Sequence, residues 1–157
     1  MRRDARGFLA RSDLVADARV RVVLDTNVLL SALIRRHGAP GQMLEAWFED
    51  RFVLLSHPLQ LEEFRSVSRR PQIRRLIRPS EAGRLVNQIR DLAETVAGLR
   101  RVRRSDDPAD DFLLAIAEAG RANFLVTGDK VGLLSLGRHA DCQVLTARSF
   151  LNILGGR

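Results

Sequence analysis

Four short apolar runs punctuate the chain: "VRVVL" from Val20, "FVLLS" from Phe52, "NFLVT" from Asn123 and "CQVLT" from Cys142. None keeps the strict apolar–polar alternation of a strand with one face in water. Strands buried on both faces read this way. The intervals between them carry helical patterns, and strands alternating with helices build a parallel sheet. The runs therefore predict an α/β domain whose parallel sheet is covered on both sides.

The helical intervals are legible from their ends. "TNVLLSALI" follows the first run directly. "GAPGQMLEAWFEDR" opens on a turn signal and sets Met43, Leu44 and Trp47 on one side. "HPLQLEEFRSVSRR" has Pro58 near its first turn, with Leu59, Leu61 and Phe64 expected inward. "SEAGRLVNQIRDLAETV" is expected to open at Ser80. "DDPADDFLLAIAEAG" is bounded by Asp107–Pro108 and by Gly120. "ARSFLNIL" closes the chain as a short helix, and the stretch near "LRRV" reads as a further short strand. Residues 1–19 read either as a frayed tail or as a short extra helix, and residues 20–157 as one domain.

The 157 residues with 45% hydrophobic content suit one core. With one Trp and no Tyr, aliphatic side chains must fill it. A single cysteine, Cys142, excludes an internal disulfide and a multi-cysteine metal site, and a reducing, cytoplasmic setting is expected. No apolar stretch approaches the ~20 residues of a membrane span. The formal charge of +7 is carried by arginine, which permits a polyanionic partner. Six arginines fall between Arg65 and Arg78, among them Arg65, Arg69, Arg70, Arg74 and Arg75, and "RRVRR" adds four from Arg100 to Arg104. A solvated basic face is the plain alternative. No aromatic residues interleave these runs as base-stacking would suggest.

In a doubly covered sheet, ligands bind beyond the carboxyl ends of the strands. Asp25 stands at one such end and Asp129, in "FLVTGD", just past another. "SDDPADD" supplies Asp106, Asp107, Asp110 and Asp111. Asp107 fits a helix N-cap and Asp110 a favourable first-turn acid. Capping does not need all of them, and a divalent cation would relieve their repulsion. Of Glu62 and Glu63, Glu63 is the better inward candidate. Carboxylates without a histidine pair favour a hard cation, Mg²⁺ or Mn²⁺, over zinc, since His37, His57 and His139 are isolated. Acids that hold such ions hydrolyse phosphodiesters. Ser31, Ser56 and Thr127 read as hydrogen-bonding supports rather than nucleophiles, because none has a paired histidine.

The segments "VVLDTNVLLSAL", "LSHPLQLEEFRSVSRRP", "DDPADDFLLAIAEAGRANFLVTGD" and "VLTARSFL" together resemble a PIN domain, in particular the PIN-type toxins of bacterial toxin–antitoxin systems. The resemblance implies a three-layer α/β/α sandwich with a central parallel sheet and a Mg²⁺- or Mn²⁺-dependent ribonuclease. By position, the clustered acids resemble Asp25, Glu63, Asp111 and Asp129, with Asp107 and Asp110 as neighbours that assist. Thr26 and Asn27 resemble the residues that hold the first acid, and Ser31 a frequent family serine. The resemblance further implies RNA as substrate, a homodimer and a separate antitoxin protein. One departure stands out: "GDKVGLL" has Val131 and Gly132 where many relatives carry another acid. The competing readings are another metal-dependent nuclease or phosphoesterase, and a degenerate module that binds nucleic acid or protein without turnover.

Overall fold

A computed structural model describes residues 19–128 and 131–156. In chain order, its elements begin with strand β1 (Arg21–Leu24), helix α1 (Thr26–Ile34), helix α2 (Ala39–Phe48) and strand β2 (Val53–Ser56). Helices α3 (Pro58–Ser68), α4 (Pro71–Arg74) and α5 (Pro79–Leu92) follow, then strand β3 (Glu94–Thr95) and helix α6 (Pro108–Ala119). The chain continues with β4 (Phe124–Val126), α7 (Leu133–Leu136), β5 (Arg138–His139), β6 (Cys142–Leu145) and α8 (Ala147–Gly155).

The six strands lie in the order β3-β2-β1-β4-β6-β5. All neighbours pair in parallel except β5, which runs antiparallel to β6. The result is a three-layer α/β/α sandwich with a mostly parallel central sheet. Side chains of successive strand residues enter opposite cores, as the two-residue period requires. Val22, Leu24, Leu54, Phe124 and Val126 belong to the core under α1, α2, α3, α5 and α8. Val23, Val53, Leu55, Leu125 and Val144 belong to the core under α6 and α7. Both faces are thus apolar, which is why the strands lack an alternating pattern.

Helix ends follow local chemistry. Pro sits in the first turn of α2, α3, α4, α5 and α6, where its missing N–H costs nothing. The His57 ring caps α3 by accepting from the Leu59 N–H at 3.1 Å. Helix α5 starts at Pro79 with Arg78 as its N-cap, so Ser80 lies within the helix rather than opening it. Leu61 and Phe64 of α3 are buried as expected, but Leu59 is exposed because it lies in the first turn, off the packed face.

The short strand expected near "LRRV" forms instead at Glu94–Thr95. There it pairs with Leu55 and Ser56 of β2, and the buried Val96 continues the ladder by donating to the Ser56 carbonyl at 2.8 Å. At the surface the Arg21 guanidinium on β1 pairs with Glu94, while Arg21 Nε donates to the Gly120 carbonyl at 2.9 Å. The edge strand β5 has no counterpart in the sequence reading. Gly137, at φ 69°, turns the chain into it, and Ala140, at φ 51°, turns it into β6. Among the described residues, no helix is long and apolar enough to cross a membrane.

Candidate active site

The strand order reverses beside β1. The chain passes from β1 to β2 and β3 on one side, then returns through α6 to β4 on the other. A crevice opens at such a switch point, beyond the carboxyl ends of the two strands. Asp25 follows β1 and Thr127 follows β4, so both stand at that crevice.

Asp25 is held from several directions. Its N–H donates to the Val126 carbonyl at 2.9 Å, continuing the β1–β4 ladder by one residue. Its side chain caps α1, with Oδ1 accepting from the Asn27 N–H at 3.2 Å. Oδ2 accepts from the Thr127 hydroxyl at 2.8 Å. The residue is only 8% exposed. Hydrogen bonds from an N–H and a hydroxyl and the positive end of a helix offset the cost of burying a carboxylate. Thr26 is buried beside it, and Ser31 is half-buried one turn along α1. Gln60 of α3, also buried, donates from Nε2 to the Leu24 carbonyl at 2.6 Å and so fixes α3 against the end of β1.

Helix α3 presents Glu63, which is exposed like Glu62 rather than turned inward as expected, because Leu61 and Phe64 take the packed face. Its carboxyl is raised from the usual glutamate value, first by loss of solvent, then by repulsion from Asp25 and from Asp107, against the pull of Arg70. Three acids that sequence places in separate segments, Asp25, Glu63 and Asp107, thus share one electrostatic environment. Arg70 faces the same group from the end of α3, while Arg65, Arg69, Arg74 and Arg75 are exposed on α3, α4 and the turns that follow them.

The acids of "SDDPADD" divide the work at the start of α6. Asp107 is the N-cap, its Oδ1 accepting from the Ala109 N–H at 2.9 Å. The Ser105 hydroxyl accepts from the Asp107 N–H at 3.1 Å and donates to Asp110 Oδ2 at 3.3 Å. Asp110 is 7% exposed and turned inward. The family position expected for the third acid is Asp111, but its Oδ1 accepts from the backbone N–H groups of Arg104 and Ser105, at 2.9 and 2.8 Å. Asp111 therefore folds the preceding loop back onto α6, whereas Asp107 is the member of the cluster that Glu63 senses. The helical period contained this: Asp110 is in phase with Leu113, Leu114 and Ala117, all buried.

The expected fourth acid, Asp129, lies outside the described residues. Among the described residues, no three His, Cys, Asp or Glu side chains are close enough to hold a metal ion. Asp25, Glu63 and Asp107, which influence one another electrostatically, are all carboxylates, the donor type a hard divalent cation takes.

Sequence reasoning missed three supports of this rim. Gln60 and Ser105 gave no signal beyond polarity. The third is an aromatic pair: the rings of His57, at the end of β2, and Phe112, on α6, meet edge to face with centroids 5.4 Å apart. Farther back, Arg104 donates from its guanidinium to the Arg138 carbonyl and to His139 Nδ1, both at 3.0 Å. His139 Nε2 lies 3.1 Å from Glu118. This chain of bonds braces the loop that carries Ser105 against β5 and α6.

Comparison with known proteins agrees with the architecture. An uncharacterized protein of Methanocaldococcus jannaschii, MJ1680, is 28% identical over 119 residues, covering 75% of this chain and 76% of its own length. The PIN domain model matches residues 21–131, well over half of the chain and the whole stretch that carries Asp25, Glu63 and the α6 acids, so this chain belongs to the PIN domain family.

Proposed function

We propose that the protein is a metal-dependent endoribonuclease that hydrolyses RNA phosphodiester bonds at the rim formed by Asp25, Glu63, Asp107 and Asp110, with Asp129 completing the group. The observation that carries this reading is the buried Asp25, held by Thr127 and the Asn27 N–H at the β1–β4 switch point, with Glu63 nearby, its carboxyl raised by loss of solvent and then by Asp25. Structural acids avoid such company, and perturbed carboxyls cluster where chemistry is done. Mg²⁺ or Mn²⁺ bound among these oxygens supplies charge stabilisation to the phosphate and a more acidic water. Asp25, Asp107 and Asp110 are the candidate ligands. Asp25 is pre-oriented by Thr127 and the Asn27 N–H. Glu63, with the raised proton affinity, is the candidate to accept a proton at its carboxylate from an attacking water. Arg70 favours the charged form of Glu63.

RNA as the substrate, a homodimeric state and control by an antitoxin protein belong to the same proposal. They rest on the likeness to PIN-type toxins and on the arginines of α3 and α4. The test is cleavage of single-stranded RNA with Mg²⁺ or Mn²⁺, with product mapping and with DNA and a phosphomonoester as alternative substrates. RNA products that vanish in Asp25→Asn support the reading. Induction in cells, with and without the protein encoded beside it, tests the toxin role.

One observation favours a second reading. Oδ1 of Asp111, the acid at the expected family position, accepts from two backbone N–H groups, and a chain whose acid there holds a loop also fits a module that binds nucleic acid without turnover. RNA binding that is unchanged by EDTA, with no products under either metal, would select it.

A further inference from the structure

The arginine run "RRVRR" is one basic block in the sequence but two different things in the fold. Arg104, itself exposed, is tied to the Arg138 carbonyl and His139. Arg100, Arg101 and Arg103 line a cleft of about 470 Å³ between the 99–103 segment and α6 instead, and all three are exposed to solvent to some degree. Among the described residues their side chains make no ion pair. Three arginines within four residues, all lining one cleft, concentrate positive charge there, and an anionic ligand relieves its cost.

The floor of this cleft is apolar. Leu99, Val102 and Ala115 contribute, together with the half-buried ring of Phe112. Asp111 also lines it, but its Oδ1 is committed to the Arg104 and Ser105 N–H groups. Charge on the walls and an aromatic ring on the floor match the two halves of a nucleotide, since phosphates need guanidinium donors and bases need a flat apolar platform. The cleft volume lies within the range of small-ligand sites, roughly 300–1,000 Å³.

Its position gives the cleft a role. Pro108 and Phe112, from the first turns of α6, form part of its wall, and Asp107, immediately before them, is the acid that Glu63 senses. The His57–Phe112 contact spans from the end of β2 to this same wall. The cleft thus shares the first turns of α6 with Asp107.

Resting on the reading of the rim as a nuclease site, we infer that the Arg100–Arg101–Arg103 cleft is a subsite for the single-stranded nucleic acid segment flanking the scissile phosphate. Its phosphates lie on the three guanidiniums and one base lies against Phe112. The unstacked base requirement excludes duplex, and the aromatic floor distinguishes the site from a general basic surface.

The experiment is anisotropy of a fluorescein-labelled oligouridylate of about twelve nucleotides, titrated in EDTA so that cleavage does not consume it. The wild type binds, and R100Q/R101Q/R103Q weakens binding at least tenfold. The triple variant also flattens the salt dependence by about 0.7 for each phosphate it no longer neutralises, roughly 2 in all. Phe112→Leu weakens binding about tenfold with the salt slope unchanged. Circular dichroism and melting confirm that both variants are folded. Wild-type binding that the triple variant retains in full overturns the subsite, as does a wild type that binds no oligouridylate. Displacement by poly-glutamate as effective as by RNA, with Phe112→Leu silent, overturns the nucleic-acid assignment in favour of an acidic protein segment. Cleavage assays on the same proteins separate the two levels. Arginine-dependent binding without cleavage by the wild type removes the nuclease reading and leaves the subsite standing. Cleavage with arginine-independent binding does the reverse.

Discussion

The hydroxyl of Thr127 donates to Oδ2 of Asp25 at 2.8 Å, a buried bond between residues 102 positions apart. It closes the crevice between β1 and β4 at the point where the strand order reverses. The β1–β4 pairing brings the two residues together. Asp25 N–H bonds to Val126, and Thr127 is the next residue. The bond is thus a product of sheet register, and register is a product of the apolar pattern on both faces.

Thr127→Val keeps the shape and removes the donor. A hydrogen bond to a charged group contributes about 1.5–3 kcal/mol, and a buried carboxylate losing one partner stands near the top of that range. The variant is expected to unfold at lower urea by a difference of that size and to cleave RNA at least tenfold more slowly. Thr127→Ser, which retains the hydroxyl, is expected to recover most of both losses.

The raised carboxyl of Glu63 has a defined sign in stability. Its folded proton affinity exceeds the unfolded value of 4.5, so in the window above 4.5 the native state binds more protons than the unfolded state. Stability therefore falls as pH rises through that window, and the ionised Glu63 works against the fold at neutral pH. Glu63→Gln is expected to melt higher than wild type at pH 7, with the difference shrinking below pH 4.5. Mn²⁺ is expected to raise the melting temperature of wild type more than that of Glu63→Gln, because the ion relieves a repulsion the variant lacks. Thermal melts across pH, with and without Mn²⁺, read both.

The brace behind the acids makes a separate claim. His139 is buried between Arg104 and Glu118, and its ring satisfies both. With Nδ1 accepting from the guanidinium, Nε2 carries the proton that points to Glu118. His139→Phe leaves the two partners without that bridge and is expected to cost about 1–3 kcal/mol. It is also expected to speed hydrogen exchange at the Arg104 and Ser105 amides, which hold Asp111. Exchange measured by NMR or mass spectrometry distinguishes this local loosening from global destabilisation.

Two glycines on helices predict opposite signs. A Cβ at Gly41 would lie 2.1 Å from the Arg36 carbonyl oxygen, a backbone atom, so Gly41→Ala forces α2 away from the turn that precedes it. Overpacking of this kind costs about 1–3 kcal/mol or more. At Gly83, inside α5, nothing lies within 4 Å of the added carbon. Gly83→Ala is expected to stabilise by about 0.5–1 kcal/mol through helix propensity. Urea denaturation of the pair checks both signs.

The parts of this fold that were legible in the sequence are those written in local chemistry. The apolar runs marked β1, β2, β4 and β6, and Asp107–Pro108 with Gly120 marked α6 at both ends. What was not legible depends on partners far away in sequence. The edge strand β3 sits at Glu94–Thr95 because the backbone pairs there with Leu55 and Ser56 of β2, and no local pattern at "LRRV" or at Glu94 encodes that choice. The hairpin of β5 and β6 rests on positive φ at Gly137 and Ala140, and an alanine gives no warning of such a turn. At the candidate site, the acids could be found as a set but not ranked. Family position pointed to Asp111, while the fold spends that carboxylate on two backbone N–H groups and turns Asp110 inward. The His57–Phe112 pair was invisible for the same reason as the strand pairing, since 55 positions separate its members.

If the carboxylate rim hydrolyses RNA, the rate of single-stranded RNA cleavage in Mn²⁺ must separate wild type from Asp25→Asn. Asn27 and Thr127 still hold the amide in place, so the variant is expected to stay folded by circular dichroism. Its cleavage is expected to fall at least a hundredfold, with the wild-type products absent and with both proteins inactive in EDTA. Equal cleavage by the folded variant, or no RNA cleavage by the wild type under either Mg²⁺ or Mn²⁺, would contradict the account.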